Sequence, residues 1–488
     1  MRGIAKFAAT TLAIGSIAAC GEQPGTLSAA REAMGADRVQ AIEFTGSGRW
    51  FQFGQAPSPT LPWPQFDVSS YTTSINYATP AARIQMTRIQ TVEPGRVRPA
   101  PTEQRPDQYV SGTSAWNLAT PPGGTPTPQP QPAAVDERTM EIWTTPHGFL
   151  QAAASNNATA TPVGGGSQVS FTIGGKHRYV GTIDGQNHVA RVQTWIDNPI
   201  LGDTEVDFIY SEYRDFDGIE FPARIVRRQG GHPVLDLTVS SVRANPAVNI
   251  VVPPEVSTAT LPAVTATAEP IAPGVFYIKG GTHHSVAIDQ RDHIVVVEGP
   301  LNEARSLVAI AKIKETIPNK PIRYLINSHH HFDHSGGLRT YVDEGATIVT
   351  HELNRPYYER AWSASRTINP DRLAQSKKTA NFETLTEKHV LTDGKRSIEV
   401  HRLAGNGHND AFVMVYLPAE KLLIEVDAWA PLAPNAPAPT AVSPFAVNLH
   451  ENIRRLKLDV KQIAALHGPR LATLADLSTA IGQTAGTN

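Results

Sequence analysis

The apolar run Ile322-Arg-Tyr-Leu-Ile326 leads through Asn327 into Ser328-His-His-His-Phe-Asp-His-Ser-Gly-Gly337. A short strand that ends in such a loop gathers polar side chains at its C-terminal edge, where a rigid scaffold can hold a site. Residues two apart on an extended segment point the same way, so His329 and His331 converge, whereas His330 between them points away. Asp333 and His334 come next as the chain turns toward a helix after Gly336-Gly337, and they can face a second position nearby. Imidazole and carboxylate without thiolate suit Zn(II), Fe(II) or Mn(II). Thirteen of the 17 histidines lie beyond residue 280, which assigns this chemistry to the second half of the chain.

A chain of 488 residues is too long for one ordinary core, so two or more domains are expected. Lys plus Arg (43) nearly balance Asp plus Glu (45), for a net charge of −2, which gives no electrostatic footing for a nucleic-acid partner. The single cysteine excludes a disulfide framework, a thiolate zinc site or an iron–sulfur cluster within one chain.

That cysteine sits at a telling place. Arg2 and Lys6 precede a short apolar run, Phe7–Ala19, too short for a permanent span and patterned like a signal-peptide core. The run ends in Ile17-Ala18-Ala19-Cys20-Gly21, which resembles a bacterial lipobox. The resemblance implies a signal segment over residues 1–20, lipidation of Cys20 and a periplasm-facing protein anchored in the cell envelope, in the outer rather than the inner membrane. Several acyl chains would hold it there, at roughly 0.8 kcal/mol per buried CH₂.

Residues 28–252 read as a β-rich domain. Val206, Phe208 and Tyr210 alternate with Glu205, Asp207 and Ile209, and Leu235, Leu237 and Val239 with Asp236 and Thr238, the period of strands with one buried face. Asp217-Gly218 and Gly230-Gly231 mark turns of an antiparallel meander. The stretch Tyr210–Pro222, together with Met34–Asp37 leading into Ile42–Gly48, is similar to curved-sheet periplasmic lipoprotein carriers, which implies an open half-barrel. No catalytic constellation is found here. Residues 253–273, rich in Pro, Ala and Thr, read as a linker, and 274–488 as a second domain.

In that second domain the His-rich segment is the HxHxDH motif. Together with three segments downstream it resembles the metallo-β-lactamase superfamily over about residues 271–475. Gly405-Asn-Gly-His408 looks like the family's third metal-binding element. Leu422–Asp427 looks like the strand ending in a metal-bridging Asp, and Ile463–His467 like the last strand with its terminal His. The resemblance implies an α+β chain whose C-terminal domain is a four-layer αββα sandwich. It further implies one metal on His329, His331 and His408, a second on Asp333, His334 and His467, and Asp427 shared between them. Two Zn²⁺ are the expected cofactors, with Fe²⁺ or Mn²⁺ as alternatives. Val426 stands where a Gly usually precedes the bridging Asp. Glu298 replaces a common Asp and could alter hydrogen bonding to a metal-bound His.

Such a centre implies hydrolysis of an ester, thioester, amide or lactam in a small-molecule substrate by a metal-bridging hydroxide, with Asp333 orienting the nucleophile. The lactamase groups with a Cys ligand are excluded, and the group lacking a bridging Asp fits less well than glyoxalase-II-like dinuclear hydrolases. Flavo-diiron relatives carry Glu where His331 stands. Two alternatives remain: a mononuclear-iron dioxygenase of the persulfide type, and a lipid or lipoprotein carrier with a vestigial metal domain. Substrate choice is expected from the excursion Asn354–Lys395, with Tyr357, Tyr358 and Trp362, and from the loop Ala430–Pro444. His283 and His284 are placed on a hairpin near the site mouth. His401 is expected to be structural, and His351 to cap or support.

Overall fold

The computed structural model describes residues 25–121, 124–433, 436 and 441–483. Cys20 and its apolar run lie outside the described residues, as does part of the Ala430–Pro444 loop.

Between Ala41 and Ala244 thirteen strands form one antiparallel sheet. The seam of this sheet is its first strand, β1 (Ala41–Phe51), which pairs with β2 (Gln65–Asn76) on one side and with the last strand, His232–Ala244, on the other. The meander therefore splays from its own ends, and the edge strands Thr127–Pro130 and Thr159–Val163 have a single partner each. Pro128 and Pro130 are tolerated at that edge because no ladder donor is needed there. Alternation works as the sequence suggests. Val206, Phe208, Tyr210, Leu235, Leu237 and Val239 are buried in one core with Met140, Ile142, Phe149 and Leu150. The last four come from the helices Val135–Ile142 and Pro146–Ser155, which cover one sheet face.

The second domain has two sheets. Thr267–Ala272 begins a seven-stranded sheet by pairing with Val275–Lys279, so the end of the stretch read as a linker is a strand of the domain it leads to. The strands Ile294–Val297, Ile322–Ile326, Thr347–His351 and Phe382–Leu385 run parallel within it. A six-stranded sheet contains Ser397–Arg402, Val413–Leu417, Leu422–Glu425 and Gln462–Ala465.

Ile294–Val297 shows why the strands are apolar throughout. Val295 and Val297 enter the core between the sheets, Ile294 and Val296 enter the core under the helix Glu303–Thr316, and all four are buried. A strand covered on both faces has no polar face to alternate with. On the far side the helix Pro444–Arg455 sends Ala446, Leu449 and Ile453 into the second sheet's core. The layers are helix, sheet, sheet, helix, and the chain as a whole is α+β.

The excursion Asn354–Lys395 is folded rather than a long loop. It contains the helices Asn354–Trp362 and Arg372–Ser376 and the strands Phe382–Leu385 and Lys388–Thr392. Tyr358 is fully buried, stacks on Trp362 and donates to Asn327 Oδ1 at 2.6 Å. Between its two helices this segment grips the first domain. Arg366 donates to the carbonyls of Asn198 (3.2 Å) and Ile200 (2.8 Å), and Asp203 accepts from the backbone N–H groups of Thr367 and Ile368.

Candidate metal centre

Four chain segments meet at one edge of the sandwich. Ile322–Ile326 delivers His329 to His334, the loop between Ser397–Arg402 and Val413–Leu417 delivers His408, and the C-terminal ends of Leu422–Glu425 and Gln462–Ala465 deliver Asp427 and His467. The His-rich loop is braced before any ligand is considered. Asn327 Nδ2 donates to the carbonyls of His329 (2.9 Å) and His334 (3.3 Å), and Ser335 Oγ to that of His331 (2.8 Å). The glycine pair is required by close approach. A Cβ on Gly336 would lie 1.8 Å from the Leu301 carbonyl, and one on Gly337 2.0 Å from Ser306 Oγ.

Two clusters result among the described residues. In the first, donor atoms of His329, His331, His408 and Asp427 lie within 4.8 Å of one another; in the second, those of His283, Asp333, His334 and His467 do. Asp427 joins them, with Oδ2 at 2.8 Å from His408 Nε2 and 3.1 Å from His334 Nε2, and Oδ1 at 2.9 Å from His467 Nε2. The seven residues singled out in the sequence are thus brought together.

The donor set fits metal ions. His408 Nε2 faces His329 Nε2 at 3.3 Å, and His467 Nε2 faces His334 Nε2 at 3.1 Å, so ring nitrogens converge in pairs at each cluster. His331 Nε2 donates to the Ala56 carbonyl at 2.8 Å, which leaves its buried Nδ1 with no hydrogen-bond partner among the described residues and its lone pair free. His334 Nδ1 donates to Glu298 Oε2 at 2.8 Å, leaving Nε2 as the ligand atom.

Residues 278–424 match the family model described as metallo-beta-lactamase superfamily. The C-terminal domain belongs to that superfamily. The chain is also 24% identical over 166 residues to the 2,4-dinitroanisole O-demethylase subunit alpha of Nocardioides sp. (strain JS1661), a match covering 33% of this chain and 45% of that protein. The chain thus spans less than half the length of the curated relative it matches. Among solved structures it is similar to a metallo-beta-lactamase from Pontibacter korlensis (18% identity, TM-score 0.34, 46% of this chain and 100% of the other). It is also similar to the rubredoxin oxygen:oxidoreductase of Desulfovibrio gigas (15% identity, TM-score 0.36, 44% and 60%).

The electrostatics of this superfamily domain favour positive charge between its carboxylates. Burial and the neighbouring His334 hold His329 down to about 3, and burial keeps His331 well below the usual range. Burial also disfavours charge on His334, yet Asp427 and Glu298 on either side raise it well above that range. Burial pushes Asp427 up, but the facing His334 and His408 hold it well below a normal carboxylate. Asp333 is held low against its own burial in the same way, chiefly by His283 Nε2, 3.3 Å from its Oδ2. A cation is the natural occupant of such a ring.

Other histidines have ordinary work. His330 lies beside Asn409 and packs on Tyr357, His401 pairs with Glu399 at 2.8 Å, and His351 Nδ1 accepts from Leu353 N. Three residues of the site escape sequence reasoning. The sequence places His283 at the mouth, whereas its ring lies 4.0 Å from that of His467, inside the second cluster. The neighbouring Gly280-Gly281 turn is the only signal for it. Gln55, whose Nε2 donates to Asp333 Oδ1 at 2.9 Å, and Ala56 come from the other domain and carry no motif.

Proposed function

We propose that this protein is a dinuclear-metal hydrolase that cleaves an ester, thioester, amide or lactam bond in a small-molecule substrate. The observation that carries this reading is Asp427, whose Oδ2 lies against His408 of one cluster and His334 of the other while its Oδ1 reaches His467. His329, His331 and His408 would hold one ion, and Asp333, His334 and His467 the other, with His283 alongside. Zn²⁺ is the best match to this imidazole-rich, thiolate-free set. Bound there, two such ions supply Lewis-acid polarisation of the scissile carbonyl and a water acidic enough to react near neutral pH. The second cluster is what supports two metals over a mononuclear-iron oxygenase.

The chain's own residues do the positioning. Asp427 is fixed between the clusters, and the loop after it is held by Glu425, whose Oε2 accepts from the N–H groups of Ala428 and Trp429. A cavity of about 670 Å³ opens beside Asp427, walled by Trp429, Leu432 and Ala446, and suits an apolar part of the substrate. A smaller one of about 260 Å³, between Gln52, Gln55 and Arg98 of the first domain and His331 and His408, suits a polar part. The signal pattern and Cys20 support placing this reaction at the cell envelope, with the lipid at Cys20 as the membrane contact.

The test is a panel of esters, thioesters, amides and lactams, with 2,4-dinitroanisole included because a relative in sequence is named for it. Turnover that disappears on chelation and returns with Zn²⁺ is expected. Oxygen consumption with one iron per chain, or no turnover of any class by metal-loaded protein, would overturn the reading.

A further inference from the structure

The first domain touches the metal centre through four consecutive residues in the loop between β1 and β2. The Gly54 carbonyl accepts from Phe332 N at 3.2 Å, Gln55 Nε2 donates to Asp333 Oδ1 at 2.9 Å, the Ala56 carbonyl accepts from His331 Nε2 at 2.8 Å, and the Pro57 carbonyl accepts from Asp410 N at 2.8 Å. Their partners are the heart of the HxHxDH segment and the loop that carries His408. The approach is close enough to require glycine. Gly54 has φ +79°, and a Cβ there would lie 2.5 Å from the Phe332 ring. Phe53 packs edge-on against that ring, with centroids 5.1 Å apart, and is itself backed by Trp63 at 4.3 Å. A second strap holds the residues on either side of His408, Gly407 and Asp410. Arg96 makes a two-pronged pair with Asp410 at 2.9 and 3.0 Å, and Arg98 Nε donates to the Gly407 carbonyl at 3.1 Å.

We propose that residues 54–57 are a positioning element of the metal centre, so that the β-rich domain helps to determine how tightly the hydrolase domain holds its metals. This inference rests on the dinuclear reading above. The chemistry at each contact is specific. A neutral imidazole has one N–H and one lone pair, so a carbonyl fixed on His331 Nε2 selects the tautomer whose Nδ1 can act as ligand. A neutral amide donating to Asp333 Oδ1 fixes the carboxylate's rotation and leaves Oδ2 toward His283 and His334 without cancelling the charge a cation needs. Partners of ligands in other metal sites change metal affinity by about 10–100-fold when removed. Gln55 is thus a positioning residue that acts through Asp333.

The test uses the full chain and Zn²⁺ alone, with affinity read by competition against a chromogenic chelator and the second site monitored by the visible absorption of a Co²⁺-loaded sample. Gln55→Met keeps the side-chain length and removes the donor. It is expected to weaken one of the two Zn²⁺ equivalents by about 10–100-fold and to shift the Co²⁺ spectrum, whereas Thr60→Ala in the same loop leaves affinity and spectrum unchanged. If the wild type binds two equivalents and Gln55→Met matches it in affinity and spectrum, the inference is overturned and the dinuclear reading stands. If the wild type itself binds fewer than two, both are overturned. Should Gln55→Met be poorly folded, Gln55→Ala, which relieves any packing conflict, carries the same expectation.

Discussion

Glu298 and His334 form a buried pair, Oε2 to Nδ1 at 2.8 Å, with the other carboxylate oxygen accepting from Ser328 N at 2.6 Å. Glu298 holds φ +68°, so its backbone is bent into a region that favours glycine to bring the carboxylate under the ring. Replacing it with Ala leaves the Nδ1–H and the Ser328 N–H buried without partners. Each such loss costs about 1–3 kcal/mol, and the ring loses its orientation. Glu298→Ala is expected to lower the melting temperature of the metal-free protein and to reduce metal uptake, read by calorimetry and by metal content after dialysis.

Removing the shared carboxylate has a different signature. Asp427→Ala takes away the group that addresses both clusters, so turnover disappears while the sandwich, whose core does not depend on that side chain, stays folded by circular dichroism. His408→Ala behaves alike. His401→Ala, which removes a partner of Glu399 on the second sheet, retains turnover and bound metal. Loss of turnover in His401→Ala with its fold intact would place the site wrongly.

How much of the fold and the site is legible in the sequence depends on whether a signal is local. His329, His331, Asp333 and His334 announce themselves by spacing within six residues, and His408, Asp427 and His467 by their order after strand-like runs. The helices Val135–Ile142 and Pro146–Ser155 do not stand out in a half that reads as strands, because they form by filling the sheet's face rather than by a strong pattern of their own. Asn354–Lys395 reads as a long excursion because its helices and strands are short and interrupted by loops. Ala56 leaves no trace at all: it acts through a backbone carbonyl, which any residue supplies.

The two domains should unfold as a coupled pair. Arg366 is buried and satisfies the carbonyls of Asn198 and Ile200 across the boundary. Arg366→Ala strands both, at about 1–3 kcal/mol each. The expected result by calorimetry is a single cooperative transition in the wild type that separates into two in the variant. An unchanged single transition would show that this grip does not couple the domains.

The first domain carries its own acid sensitivity. His147 is fully buried, its Nε2 donating to the Met34 carbonyl at 3.0 Å, and burial pushes its pKa down to about 4 from an ordinary 6.5. The unfolded chain therefore binds this proton first as the pH falls. Stability is unaffected above the unfolded value, declines between 6.5 and about 4, and levels off below, a loss of up to about 3 kcal/mol. His147→Gln, which keeps a donor for Met34, should flatten that part of the profile in denaturant titrations across this range. An equally steep variant would assign the acid loss to other groups.

Counting metal tests the paired-ion centre most directly. Protein loaded with Zn²⁺, dialysed against metal-free buffer and measured by plasma mass spectrometry should retain two equivalents per chain in the wild type and lose binding in Asp427→Ala. Retention of no zinc, or of the same amount by both proteins, would contradict a centre built around Asp427.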